Sequence, residues 1–147
     1  MHLQRVDRDA ERFGRITLAL VLLEVPGGLV LVRNRGRGCW ELPGGLRDEG
    51  ESPAGCALRE LREETGIAAA AVRLAAVVVL DLQPSPRTPR RREECGAVFR
   101  AEHAAVPAAF ESPEISAVIV RPADRLPAGT GELDTHLVRE LSSGVER

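Results

Sequence analysis

Residues Gly45–Ile67 read GLRDEGESPAGCALRELREETGI: a glycine turn, an acidic loop, a helical run and a second glycine. Ser52 suits an N-cap, Pro53 the first helical position, and Gly66 the residue just past the end, so a helix is predicted over 53–65. With Glu60 taken as zero on a wheel of about 100° per residue, Glu63 falls near −60° and Glu64 near +40°. The three carboxylates share one face. Ala54, Ala57, Leu58 and Leu61 fall on a neighbouring arc, roughly +60° to +160°. The expectation is a helix that buries one side and aims three acids from the other.

Like charges at this spacing destabilise a helix by about 0.2–0.5 kcal/mol per pair. Arg59 and Arg62 offset part of that, and a hard divalent cation would offset more, because Mg²⁺ prefers carboxylate and phosphate oxygens. A solvated acidic face is the plain alternative for a lone Glu-Glu pair. The glycine turn and acidic loop in front of the helix weigh against it.

Upstream, Ile16–Val25 and Leu29–Val32 are branched apolar runs separated by Pro26-Gly27-Gly28, which reads as a hairpin over 16–25 and 29–33. Arg33–Gly38 is a basic glycine-bearing loop. Cys39–Leu42 is a short strand that holds Trp40, the one tryptophan, and Pro43-Gly44-Gly45 reads as a sharp turn. Downstream, strands are expected at 72–82, 94–101 and 115–120. Residues 83–92 hold three prolines and four arginines and read as a loop, while 103–113 is a connector. Leu133, Leu137, Val138 and Leu141 sit at helical spacing, predicting a closing helix over 132–141. Residues 1–14 read as a loose arm or the first edge of the fold. One α/β domain spanning 1–147 is expected, a sheet with helices on opposite faces.

The 147 residues carry 20 basic and 22 acidic side chains, a net charge of −2, which gives no case for a nucleic-acid or anionic-membrane partner. No apolar run reaches the roughly 18–20 residues of a membrane span. Cys39, Cys56 and Cys95 are odd in number and show no CxxC spacing, so they read as free thiols in a cytoplasmic protein.

The 45–67 stretch resembles the Nudix box: Gly45, five residues, Glu51, seven residues, then Arg59-Glu60-Leu61-Arg62-Glu63-Glu64-Thr65-Gly66-Ile67. All nine constrained positions of that 23-residue frame match. Trp40-Glu41-Leu42-Pro43-Gly44 before it also looks like the family. The resemblance implies an α/β/α sandwich around a mixed central sheet. It implies a MutT-like hydrolase that cleaves a nucleoside diphosphate linked to another moiety, with Mg²⁺ as cofactor and Mn²⁺ as a substitute. Glu60, Glu63 and Glu64 would be the metal ligands, joined by the Gly45 carbonyl. Glu51 would support the site, and Arg59 would orient the glutamates through ion pairs.

For the general base three candidates stand: Glu63 in the box, and Glu111 and Glu114 just before the 115–120 strand. The two loop acids have an equal alternative reading as ordinary exposed residues. Arg33, Arg35 and Arg37, and those at 87–92, are candidates to meet substrate phosphates, with a solvated basic loop as the alternative. Trp40 is a candidate substrate contact, though core packing is the stronger reading. His103 and His136 read as exposed. The chain has no tyrosine and only Phe13, Phe99 and Phe110 besides Trp40, which argues mildly against tight base specificity. The partner expected is a small nucleotide or nucleoside diphosphate derivative: a nucleoside triphosphate, ADP-ribose, a nucleotide sugar or a dinucleotide polyphosphate. A homodimer is compatible with this. The competing hypotheses are a non-catalytic Nudix-like nucleotide sensor or interaction domain and, more weakly, a prenyl-diphosphate isomerase.

Overall fold

The computed structural model describes residues 2–7, 16–82, 84, 86, 89, 90 and 92–142, without the side chains of 2–7 and 82. In chain order the elements are β1 (His2–Asp7), β2 (Ile16–Val25), β3 (Gly28–Asn34), β4 (Trp40–Glu41), β5 (Gly44–Leu46), α1 (Pro53–Thr65), β6 (Arg73–Leu82), β7 (Arg92–Glu102), β8 (Ile115–Arg121) and α2 (Glu132–Ser142). Of the arginine-rich loop expected over 83–92, residues 83, 85, 87, 88 and 91 lie outside the described residues, as does Phe13.

The strands form one sheet in the order β1-β6-β7-β2-β3-β4, with β5 on β2 and β8 on β3. β2 and β7 run parallel and the other pairs antiparallel, so the sheet is mixed. Residues 2–7 are the first edge of the fold, paired with β6.

Alternation along the strands divides the core into two layers. Leu18, Leu22, Leu29, Leu31, Val78, Leu80 and Val98 face Leu137, Val138 and Leu141 of α2. Ala19, Val21, Leu23, Val30, Ala97 and Phe99 face Cys56, Ala57 and Leu61 of α1. The two helices therefore cover opposite faces, giving the α/β/α sandwich. Arg100 of β7 donates to the Leu141 carbonyl and ties the end of α2 to the sheet. Among the described residues no helix is long and apolar enough to cross a membrane.

β2 forks, and this places the box. Its far end pairs with β3 through Glu24↔Leu29 and Val25↔Gly28. Its near end pairs with β5 through Leu18↔Leu46, Ala19↔Gly45 and Leu20↔Gly44. Between the two, the Val21 amide donates to the Pro43 carbonyl at 2.8 Å. Gly44 and Gly45, read from sequence as part of a Pro43–Gly45 turn, instead form with Leu46 a third short partner of β2. Glycine makes this feasible: at Gly44, with φ +154°, a Cβ would lie 2.2 Å from the Ala19 carbonyl oxygen. The strand carries the glycine pair beneath α1.

The boundaries of α1 match the capping signals. Ser52 is extended and its Oγ accepts from the Gly55 amide at 3.0 Å, a cap worth about 1 kcal/mol. Gly66 closes the helix in the left-handed conformation, φ 76°, its amide donating to the Arg62 carbonyl. Thr65 Oγ1 donates to the Leu61 carbonyl and accepts from the Ile67 amide.

Candidate active site

The buried residues of α1 are Cys56, Ala57, Leu61, Glu64 and Thr65. On the wheel they span about −40° to +140°, and Glu64, near +40°, lies inside that arc. This corrects the expectation of a buried side and a separate acidic side. The acidic and apolar arcs overlap, because the sheet under α1 ends in the β5 glycines, where backbone rather than side chains meets the helix. Leu58, expected inside, is only half-buried.

Each carboxylate has a different environment. Glu64 is buried and accepts a bond from the Gly44 amide at 2.8 Å. Burial pushes its carboxyl up to about 8 against that bond, and the charges of Glu60, Glu41 and Glu114 add to the rise. Burial also raises Glu60, with Arg59 opposing and Glu63 and Glu114 reinforcing. Glu60 lies flat on the glycine turn: a Cβ on Gly45 would stand 2.6 Å from its Oε1. Glu63 is exposed and leans on Arg59 at 3.2 Å.

Arg59 is the hub. Its guanidinium donates to Glu51 at 2.7 and 3.0 Å, to Glu60 at 3.1 Å, to Glu63 at 3.2 Å and to the Leu46 carbonyl at 3.1 Å. Asp48 stands 3.4 Å from it. The Arg59 bonds hold Glu51 down to about 2, and Glu51 in turn raises Arg59. The Cys56 thiol is pushed up to about 11 by burial and points at the Gly45 carbonyl, 3.5 Å away.

Among the described residues no three His, Cys, Asp or Glu side chains converge into a ready-made cation cage. Arg59 draws Glu60 and Glu63, and the Gly44 amide holds Glu64. The donor set still fits a hard divalent ion. It offers carboxylate oxygens whose ionised forms are disfavoured by burial, beside the Gly45 carbonyl, which the Cys56 thiol faces.

The other sequence candidates divide. Glu111, 74% exposed, is engaged with Arg35 at 2.8 Å, so a candidate base and a candidate phosphate ligand occupy each other. Glu114 is exposed, yet its charge reaches Glu60 and Glu64. Trp40 is half-buried against the α2-side core, its backbone bonded to Gly129 and Gly131. The Arg33 guanidinium carbon lies 5.8 Å from the Trp40 ring centroid. His136 is exposed, and His103 is half-buried with its amide on the Glu24 carbonyl.

Beside the glycine turn, on the α2 side of the sheet, is a cavity of ≈ 490 Å³, walled by Leu18, Leu20, Leu42, Leu46 and Leu133. At it Arg37 makes a forked pair with Glu41, at 2.7 and 2.8 Å. Asp134, buried at its floor, accepts from the Leu42 amide at 2.8 Å and is pushed up to about 6 by burial. Neither Glu41 nor Asp134 stands out in the sequence as a site residue. The one signal available was Arg37 and Glu41 four residues apart across a strand start.

A family model described as NUDIX domain matches residues 14–141. A Xenopus laevis protein named nucleoside diphosphate-linked moiety X motif 6 is 43% identical over 56 residues, covering 36% of this chain and 26% of that protein. A MutT-like protein of Streptomyces ambofaciens is 40% identical over 52 residues, 35% of this chain and 34% of that one. The chain thus spans about a quarter to a third of the length of these relatives. Two solved structures share its fold. The NUDIX domain of Shewanella oneidensis NrtR, complexed with ADP ribose, has a TM-score of 0.67 at 19% identity, covering 92% of both chains. The E. coli dihydroneopterin triphosphate pyrophosphohydrolase has a TM-score of 0.73 at 16% identity, covering 88% of this chain and 100% of that one.

Proposed function

The chain belongs to the NUDIX domain family, and from that premise we propose that residues 1–147 form one domain that acts as a pyrophosphohydrolase, hydrolysing a nucleoside diphosphate derivative with Mg²⁺. The observation that carries this is the pair Glu60 and Glu64. Both are pressed against the β5 glycines Gly44 and Gly45, and both hold protons more tightly than ordinary carboxyls. Burying carboxylates is costly unless something positive compensates. In this family that compensation is typically a divalent metal.

Glu60, Glu63, Glu64 and the Gly45 carbonyl would hold the ion, and Arg59, fixed by Glu51 and Asp48, sets the directions of Glu60 and Glu63. When bound, Mg²⁺ or Mn²⁺ supplies charge neutralisation for the diphosphate and acidifies water. Water attacks one phosphorus, the bridging P–O bond breaks, the bridging oxygen leaves on the other phosphate, and the water's proton passes to a carboxylate. Glu114 is our choice for that proton. Glu111 is taken up by Arg35 and Glu63 by Arg59.

The substrate's organic part would enter the 490 Å³ leucine-walled cavity, where the Arg37–Glu41 pair offers donors and acceptors to a polar edge. Among the described residues the cavity has no aromatic wall, which favours breadth over strict base choice. The ADP ribose held by the NrtR domain and the nucleoside diphosphate-linked name of the Xenopus relative support nucleoside triphosphates and ADP-ribose as the first substrates to try. Arg33, near the end of β3 with its guanidinium beside the Trp40 ring, would meet a phosphate.

A panel of diphosphate compounds incubated with Mg²⁺, with products weighed by mass spectrometry, tests the reading. Two phosphate-bearing products are expected. Glu63→Gln and Glu64→Gln should lower turnover by orders of magnitude with unchanged circular dichroism. Near-wild-type activity in both variants would sink the assignment, and tight nucleotide binding with no product would point to a sensor instead.

A further inference from the structure

We propose that Arg35 is a positioning residue rather than a phosphate ligand: its three-point grip on the 111–114 turn fixes Glu114 beside α1. The inference rests on the hydrolase reading above and assigns one residue's part in it.

Arg35 spends its donors on one turn. Its amide donates to the Glu114 carbonyl at 2.8 Å, its Nε to the Ser112 carbonyl at 3.0 Å and its Nη2 to Glu111 Oε2 at 2.8 Å. The turn is also closed on itself: the Ser112 amide donates to the Ile115 carbonyl at 2.9 Å, and Ser112 Oγ accepts from the Ile115 amide at 3.1 Å. The β3–β8 register slips between Arg33 and Asn34, just where the chain leaves the ladder for this contact. At its other end the connector is pinned to the helix. The Phe110 ring covers Gly66, 3.2 Å from where a Cβ would sit. Gly66 directly follows the last turn of α1, which carries Glu63 and Glu64. Residues 110–114 are therefore held between the end of the carboxylate helix and Arg35. The charge of Glu114 reaching Glu60 and Glu64 agrees with that placement.

The Arg35–Glu111 pair is exposed, at 44% and 74% for the two side chains, and such pairs add little stability. What a guanidinium fork does well is fix direction, because two of its N–H groups meet two acceptors in one plane. A small displacement of a proton acceptor costs rate steeply, about a hundredfold for roughly 1 Å.

The test compares Arg35→Ala, Arg35→Lys, Glu111→Ala, Glu114→Gln and the double variant Arg35→Ala/Glu114→Gln on a diphosphate turned over by the wild type. Arg35→Ala should lower kcat about ten- to hundredfold with KM within about threefold of wild type. Arg35→Ala keeps only the backbone bond to Glu114, and Arg35→Lys, which adds one side-chain contact to it, should recover part of the loss. Glu111→Ala should show a smaller loss in kcat, and it stands in if Arg35→Ala does not fold. The double variant should be no slower than Glu114→Gln alone, because both changes remove one contribution. A raised KM at unchanged kcat in Arg35→Ala would make Arg35 a phosphate ligand and overturn the proposal, as would additive losses in the double variant. Absence of turnover by the wild-type chain overturns the hydrolase reading and the grip with it. An active wild type, an inactive Glu64→Gln and a normal Arg35→Ala overturn the grip alone.

Discussion

Gly44 and Gly45 are adjacent and chemically identical, yet they answer to different constraints. At Gly44 the crowding atoms are backbone, with the Ala19 carbonyl oxygen 2.2 Å from an added Cβ, and φ is +154°. Nothing there can yield, so Gly44→Ala should destabilise the fold by about 2–3 kcal/mol or more. At Gly45 the nearest atom is Glu60 Oε1, at 2.6 Å, the far end of a flexible side chain. Gly45→Ala should leave the melting temperature within a few degrees of wild type while displacing the Glu60 carboxylate and lowering kcat by more than about tenfold. Thermal melts of both variants, with a turnover assay on Gly45→Ala, check the contrast. Equal losses of melting temperature would show that the turn, and not the carboxylate, needs both glycines.

At the scale of elements, α1 was legible because its signals are local: Ser52, Pro53 and Gly66 bracket the observed Pro53–Thr65. The long strands were legible for the same reason. Four things were not. Residues 44–46 form a strand only because β2 offers an open edge, which two glycines do not announce. Glu64 is buried because backbone lies beneath it, whereas a charge in a sequence signals exposure. The joining of Arg35 to the 111–114 turn spans more than seventy residues, and no spacing rule reaches that far. Asp134 belongs with these. It sits in the first turn of α2 and holds the Leu42 amide, linking that helix to the β4–β5 segment. Its folded pKa, about 6, is raised by burial, so folding favours its neutral form. Stability should therefore fall as pH rises from about 4 to about 6, where the unfolded chain has already released the proton. Asp134→Asn keeps an acceptor for Leu42 and should make that slope shallower, leaving the part that Glu64 and Glu60 contribute. Asp134→Ala leaves the amide buried without a partner and should cost about 1–3 kcal/mol at every pH. Urea melts at pH 4.5 and 6.5 separate the two, and an unchanged slope in Asp134→Asn would remove Asp134 as its source.

For the whole molecule the same linkage ties folding to the metal. Glu64 titrates near 8 when folded and near the usual carboxylate value when unfolded. Between those values the folded chain holds a proton that the unfolded chain has lost, so metal-free stability must decline as pH rises through the window. Asp134 finishes titrating just above its folded value of about 6, which leaves the upper part of the pH 6–8 window to Glu64, with Glu60 shifted in the same direction. A divalent ion bound only by the folded chain stabilises it by mass action. Because that ion competes with the Glu64 proton, its effect should grow across the same window. The melting temperature in EDTA should therefore fall from pH 6 to pH 8, and the increment on adding millimolar Mg²⁺ should rise from small to large. Glu64→Gln should flatten the EDTA profile and lose most of the increment. An EDTA profile that stays level, with no Mg²⁺ increment at pH 8, would separate the buried carboxylate from any metal role. Such a result would leave the glycine turn and its helix as a structural joint.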